Sequence, residues 1–378
     1  MAPQENMVNK KERNVNLDII RCTAIFMVIL VHFFLNSEFY WHPIVGKRMY
    51  TMTILCTFAY ICVPLFILLT GYLMCQKKLS YTYYKGIRKT LAIYLLASLV
   101  CLAYRYLIVH ETFSISAALF RILSFRASGY AWYIEMYIGL FLMIPFLNLI
   151  YRNLGSQKEK LVLIITCLVL TTLPSLLNQF DWHTVGWWAQ PSMSQSYDKL
   201  IPAWWENLYP ITYYFIGAYL SEFGSPLRKR VSFPLMLIAL FTFSIYNIYR
   251  CKDGGLENFL ACQWFGFECV ILSVLTFLFL LRLPTQPLPR WLKVFFARIA
   301  DLSLGAYLVS WVWDQYAYTK FKTLVTYIPM RLNYLPILVG FVFICSLVTS
   351  SCIHGIYALI CKGGSALRNG KTNTVRKI

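Results

Sequence analysis

The chain has 378 residues, 58% of them hydrophobic and only 13% charged, with a mean hydropathy of +0.56. A soluble domain carries about 25% charged residues, so the polar surface here is too small to cover a water-soluble globule. The net charge of +19 is spread in short basic clusters between apolar runs, with no nucleic-acid motif beside it, which leaves nucleic acid out as a partner.

A membrane-spanning helix needs about 20 largely apolar residues. Ten segments qualify: 17–36, 52–74, 88–109, 131–151, 161–177, 205–223, 233–249, 259–282, 299–318 and 335–361. The chain therefore reads as all-α, a polytopic transmembrane helical bundle of about ten helices. It divides into an N-terminal segment 1–16, a transmembrane domain 17–361 and a basic tail 362–378 that is expected to be flexible. With the N-terminus inside, the inner segments hold 23 of the 35 Lys and Arg residues and the outer loops 10, while Arg21 and Arg105 fall within spans. That bias predicts cytoplasmic N- and C-termini.

The first apolar run follows basic residues, as a signal peptide does. It lacks a small-x-small cleavage site and ends in His32, Asn36 and Glu38, so it is expected to be a retained helix. The longest outer loop, 178–204, carries Trp182, Trp187 and Trp188, with Trp204 and Trp205 at its end. Interfacial anchoring and a platform for sugar rings both fit that composition. The 12 cysteines show no C-x-x-C pair and no zinc spacing, and most sit inside apolar runs. They read as small buried hydrophobes, and no metal site is expected.

Arg21 and His32 are the most informative pair. Ionisable residues inside a bilayer are costly and point to function. Eleven residues at about 100° each place both on nearly the same helix face, about 16 Å apart along the axis. Each has a plainer reading: Arg21 as a side chain snorkelling to the inner headgroups, His32 as a hydrogen-bonded packing residue. The shared face favours a joint role. Asp18 is placed to pair with Arg21 at i, i+3. Glu135, Glu268 and Asp314 are further polar groups within spans, each able to pair with Arg105 or His32 or to line a groove. Glu135 and Glu268 rank first.

Several motifs resemble the acyltransferase 3 family of polytopic membrane enzymes. They are Asn16-Leu17-Asp18-Ile19-Ile20-Arg21 followed by His32; Val63-Pro64-Leu65-Phe66; Thr70-Gly71-Tyr72-Leu73, with Thr for the usual Ser; Lys85-Gly86-Ile87-Arg88, with Lys for the first Arg of R-x-x-R; Ala131-Trp132-Tyr133-Ile134 with Leu140 through Pro145; and Ser303-Leu304-Gly305-Ala306-Tyr307-Leu308. They occur in the family's order over about residues 14–360. Ser310 stands where the family usually has a late His.

The resemblance implies an O-acyltransferase, most similar to O-acetyltransferases of surface polysaccharide, in a bacterial cytoplasmic membrane. It implies acetyl-CoA as donor substrate and a glycan or lipid-linked saccharide as acceptor, among membrane lipids. Lys85, Arg88 and Lys89, with Arg21 just inside, would then form a cation cluster for the donor's phosphates, although ordinary positive-inside charge explains the same residues. His32 would take the acceptor's proton, since an ordinary imidazole pKa of about 6.5 suits a base. Trp132, Glu135 and Glu268 would contact the acceptor. The alternative is a transporter or flippase for a small solute or acyl donor, which usually shows two similar halves with matching broken helices. No such symmetry is visible here. A membrane anchor without chemistry is the third reading.

Overall fold

The computed structural model describes residues 13–188, 199–224, 227–251, 254–256 and 262–374. Among these residues every regular element is a helix. The side chain of Asn14 accepts from the Asn16 N–H and so caps α1 (Val15–Asn36). α2 (Lys47–Ala59) and α3 (Cys62–Met74) together form the second expected span. α4 (Tyr81–Lys85) leads into α5 (Arg88–Leu107), the third. α6 (Ile115–Leu123) has no counterpart among the ten expected segments. α7 (Trp132–Asn153) is the fourth span. α8 (Gln157–Thr171) opens on a capping box of Ser156 and Glu159 and continues into α9 (Leu173–Leu177) as the fifth. The remaining spans are α10 (Tyr209–Phe223), α11 (Lys229–Arg250), α12 (Phe267–Leu281), α13 (Arg290–Leu324) and α14 (Leu335–Thr374).

Each of the ten segments therefore falls on helix. Among the described residues, six helical stretches are long and apolar enough to cross a membrane. α8, α10 and α12 have 15 residues each, about 22 Å of helix against a hydrocarbon core of about 30 Å. α13, at 35 residues, has the length but carries Asp301 and Asp314 within it. α14 runs on to Thr374, beyond the expected end of the last span at 361, so helix replaces most of the expected flexible tail. Lys10, Lys11, Lys252, Arg376 and Lys377 of the charge count lie outside the described residues.

α1 is the central helix, packed against α2, α3, α12, α13 and α14. Its buried residues run from Asn16 to Phe34 with little regard to face, as in a helix wrapped by others. α13 lies along it, and three contacts fix their relative direction. Arg13 bonds Asp301 at one end, His32 faces Asp314 further along, and Lys322 bonds Glu38 at the other end. The two helices are thus parallel. Parallel helices need an odd number of crossings between them, as the seven expected segments between the first and the ninth provide.

α3 and α10 approach closely at two glycines. A Cβ on Gly71 would stand 2.1 Å from the Tyr214 carbonyl oxygen, and one on Gly217 would stand 2.1 Å from that of Leu68. Small residues at a crossing let backbones touch, which drives helix association where lipid removes the hydrophobic advantage. Around the outside, Leu99 of α5, Phe146 of α7, Ile238 and Ile245 of α11, and Ile337 and Ile344 of α14 are exposed apolar side chains, the surface a bilayer would cover.

Candidate active site

Two cavities open along one face of α1. The first, about 230 Å³, is lined by Arg21 of α1, Thr70 and Leu73 of α3, Thr90 of α5, Tyr137 of α7 and Ser303 of α13. The second, about 420 Å³, is lined by His32, Tyr40, Trp41, Tyr130, Trp132 and Trp264. Val28, Val63 and Tyr307 line both. Val28 lies seven residues after Arg21 and four before His32, so the 3.6-residue period puts all three on the face toward the cavities. The chambers therefore meet at a waist halfway along α1.

Arg21 stands one-third exposed at the mouth of the first chamber, 3.4 Å from Asp18. Asp18 is held more closely by another partner. Arg13 donates to both its oxygens at 2.6 and 2.8 Å and also to both oxygens of Asp301. These hydrogen bonds push the Arg13 guanidinium up from its ordinary pKa. The expected i, i+3 pair is present, but Arg13 neutralises most of Asp18, and the Arg21 charge stays available to the chamber. Lys85 at the end of α4 and Arg88 and Lys89 at the start of α5 are exposed, with Lys85 over the Tyr81 ring at 4.2 Å. None of the three lines the chamber; Thr90, next to Lys89, does.

His32 is buried and clamped on two sides. Its Nδ1 is 3.6 Å from Oδ2 of Asp314. Its ring stacks on Tyr130 with centroids 3.6 Å apart and planes 24° apart. The Tyr130 hydroxyl donates to the same Asp314 oxygen at 2.8 Å, and Asn36 donates to that hydroxyl at 2.9 Å. Asp314 is fully buried, and among the described residues neither its Oδ1 nor the His32 Nδ1 makes a hydrogen bond. The turn carrying Tyr130 is stitched to α13: Tyr307 donates to the Tyr130 carbonyl, and Ser128 donates to the Leu308 carbonyl at 3.0 Å. Tyr307 and Asp314 are seven residues apart, two turns along one face of α13, so this face supplies both the waist and the carboxylate. An imidazole whose one nitrogen faces a carboxylate offers the other as a base and is steadied once it takes a proton.

Trp132 stacks on Trp264 at 4.4 Å and 23°, forming an aromatic wall of the His32 chamber. Glu135 is exposed one turn further along α7 and lines a neighbouring side pocket, not this chamber. Glu268, the other carboxylate ranked first from the sequence, lines neither chamber. It is buried where α11 and α12 meet, accepting from Asn247 at 2.9 Å, and Asn247 also donates to Thr57. Asp314 holds the place beside His32. Of the outer-loop tryptophans, Trp182 stacks on Trp187 at 4.2 Å, Trp188 stacks on Tyr249 of α11, Trp204 is exposed, and none lines the His32 chamber. Part of that loop, 189–198, lies outside the described residues. Tyr130 and Trp264 were not singled out from the sequence. Tyr130 directly precedes the Ala131-Trp132 motif, the one local signal that pointed near it.

The fold and site define a polytopic membrane protein with a buried imidazole–carboxylate pair at the second of two adjoining chambers. Residues 14–353 match the family model described as an acyltransferase domain, that of the acyltransferase 3 family. The chain belongs to that family and is a multi-pass membrane acyltransferase. No curated protein and no solved structure matches the chain.

Proposed function

We propose that the protein is an O-acyltransferase, most simply an O-acetyltransferase, of a bacterial cytoplasmic membrane. It moves the acyl group of a cytoplasmic acyl-CoA to a hydroxyl of a cell-surface or exported glycan. The observation that carries this reading is the His32–Asp314 pair beside the aromatic-walled chamber, one turn of α1 from the waist that joins it to the chamber holding Arg21.

Charge supports the direction. The N-terminal end of α1, where the basic clusters gather, faces the compartment in which acyl-CoA is made. Arg21 and the exposed Lys85, Arg88 and Lys89 draw the donor's phosphates, and the acyl thioester reaches the waist through the narrow chamber. The acceptor rests its sugar ring on Trp132 and Trp264 in the wide chamber. Its hydroxyl proton passes to the free nitrogen of His32 as its oxygen attacks the thioester carbon. The C–S bond then breaks, and the CoA sulfur leaves with the proton that His32 returns. Asp314 balances the imidazolium between the two transfers, and the Tyr130 ring holds its plane.

Membranes containing the protein, given labelled acetyl-CoA and a glycan fraction, test this reading. Label enters an alkali-labile ester with wild type, and His32→Ala lowers the rate about 100-fold or more. Equal transfer by His32→Ala removes His32 as the base. Solute movement without ester formation would make the protein a carrier.

A further inference from the structure

Acyl transfer puts transient negative charge on the thioester oxygen, and His32 and Asp314 do nothing for it. As the acceptor oxygen bonds to the thioester carbon, the C=O electron pair moves onto the carbonyl oxygen. It returns when the C–S bond breaks. A fixed hydrogen-bond donor at that oxygen speeds the reaction, because it meets charge that exists only in the transition state.

Most polar groups of the His32 chamber are already committed. The Tyr130 hydroxyl donates to Asp314, and that of Tyr307 donates to the Tyr130 carbonyl. Tyr40 packs edge to face on Tyr60 and accepts from the Cys56 thiol at 3.5 Å. Trp41 is half exposed. Gln263 also lines the chamber, and among the described residues its carboxamide makes no hydrogen bond. The indole nitrogen of Trp264, the next residue, is buried and has no partner among those residues. The turn before α12 therefore carries two uncommitted N–H donors at the chamber wall, an arrangement that is costly unless an oxygen arrives to accept from them.

This turn is held in place. The Gly266 N–H donates to the Gln263 carbonyl at 2.7 Å, Tyr213 of α10 donates to the Trp264 carbonyl at 2.8 Å, and the Phe267 N–H donates to the Ser175 hydroxyl at 3.1 Å. The Trp264 ring stacks on Trp132, two residues after the Tyr130 ring that stacks on His32. One short stretch, Tyr130 to Trp132, thus joins the turn bearing Gln263 to the imidazole. A carboxamide donates without giving up its proton, so it does not compete with His32 for the proton in transit.

We propose that Gln263 is a catalytic residue whose carboxamide N–H stabilises the oxyanion formed on the acyl thioester. The proposal rests on the acyl-transfer reading and adds to it the group that meets the developing charge. The Gln263 carboxamide holds no other part of the fold, so its replacement leaves the folded amount unchanged.

Membranes containing the protein and the glycan fraction are given acetyl-CoA or its dithio analogue, in which sulfur replaces the carbonyl oxygen and accepts hydrogen bonds only weakly. Rates are corrected for the amount of folded protein. Gln263→Ala lowers kcat with acetyl-CoA about 100-fold with both KM values little changed, and Gln263→Glu, of the same shape but with no N–H, lowers it at least as far. The wild-type preference for the oxygen substrate falls about tenfold or more in both variants, the worth of one charge-assisted contact. His32→Ala slows both substrates alike, and Tyr60→Phe leaves the preference intact. A Gln263→Ala loss that is equal on the two substrates, or confined to the acceptor KM, overturns the proposal. So does a preference that falls in Tyr60→Phe instead. If the preference falls as stated while His32→Ala transfers normally, Gln263 stands and the base assignment falls; if only His32→Ala loses activity, the reverse holds.

Discussion

The two chambers along α1 differ in size and in chemistry. The Arg21 chamber is about 230 Å³, lined by aliphatic side chains and the rings of Phe66, Tyr133, Tyr137 and Tyr307, with a cation at its mouth. The His32 chamber is about 420 Å³, walled by tryptophan and tyrosine and floored by an imidazole. A narrow apolar passage behind a positive charge suits an extended thioester arm whose phosphates stay outside. A wide aromatic chamber suits a ring with hydroxyls. On the proposed function, the difference lets one helix serve two unlike substrates, because Arg21 and His32 sit eleven residues apart on one face. Only the waist at Val28, Val63 and Tyr307 is shared.

The sharpest way to break this division is to disable the base and spare both chambers. Asp314→Asn keeps the shape but leaves no charge to steady the imidazolium, and the acyl-transfer rate falls about 100-fold or more with donor KM little changed. Glu268→Gln, which touches neither chamber, leaves the rate within about twofold after correction for the amount of folded protein. Comparable losses in the two variants would deny Asp314 a special place.

Closing the waist comes next. Val28→Phe puts a ring between the chambers, and transfer falls about 10- to 100-fold, because a small misplacement of reacting atoms is costly. Acyl-CoA binding, measured by calorimetry, stays near wild type. Undiminished transfer would mean that the substrates meet elsewhere.

Donor recognition gives smaller effects. Arg21→Ala raises the acyl-CoA KM about tenfold, as loss of a charge-assisted contact should. Arg88→Ala, exposed and outside the chamber lining, raises it only about two- to fivefold, and Arg228→Ala leaves it unchanged. Equal effects of Arg88→Ala and Arg228→Ala would reduce the α5 cluster to ordinary positive-inside charge.

Much of this was legible in the sequence because a bilayer permits few answers. Backbone groups in lipid must be satisfied within a helix, so apolar runs of sufficient length became helices at all ten places. The Arg21–His32 register was legible for the same reason: both lie on one regular helix, whose period fixes their face. Asp314 was visible as an intramembrane carboxylate, but nothing local distinguished it from Glu268 or Glu135. Its partner is contributed by α1, at the opposite end of the chain, and only the parallel packing of α1 and α13 brings them together. Tyr130 was hidden in a turn between spans, where periodicity carries no signal. The neutralisation of Asp18 by Arg13 and the partnering of Glu268 by Asn247 likewise depend on contacts that spacing does not encode.

The central claim is that donor and acceptor reach the waist from opposite sides of the membrane. Proteoliposomes sorted by orientation test it, with labelled acetyl-CoA supplied to one face and the glycan acceptor confined to the other. The account predicts ester formation only when acetyl-CoA meets the face bearing the N-terminal end of α1 and the acceptor meets the opposite one. Transfer at equal rates in both arrangements, or only when both substrates share one face, would contradict it.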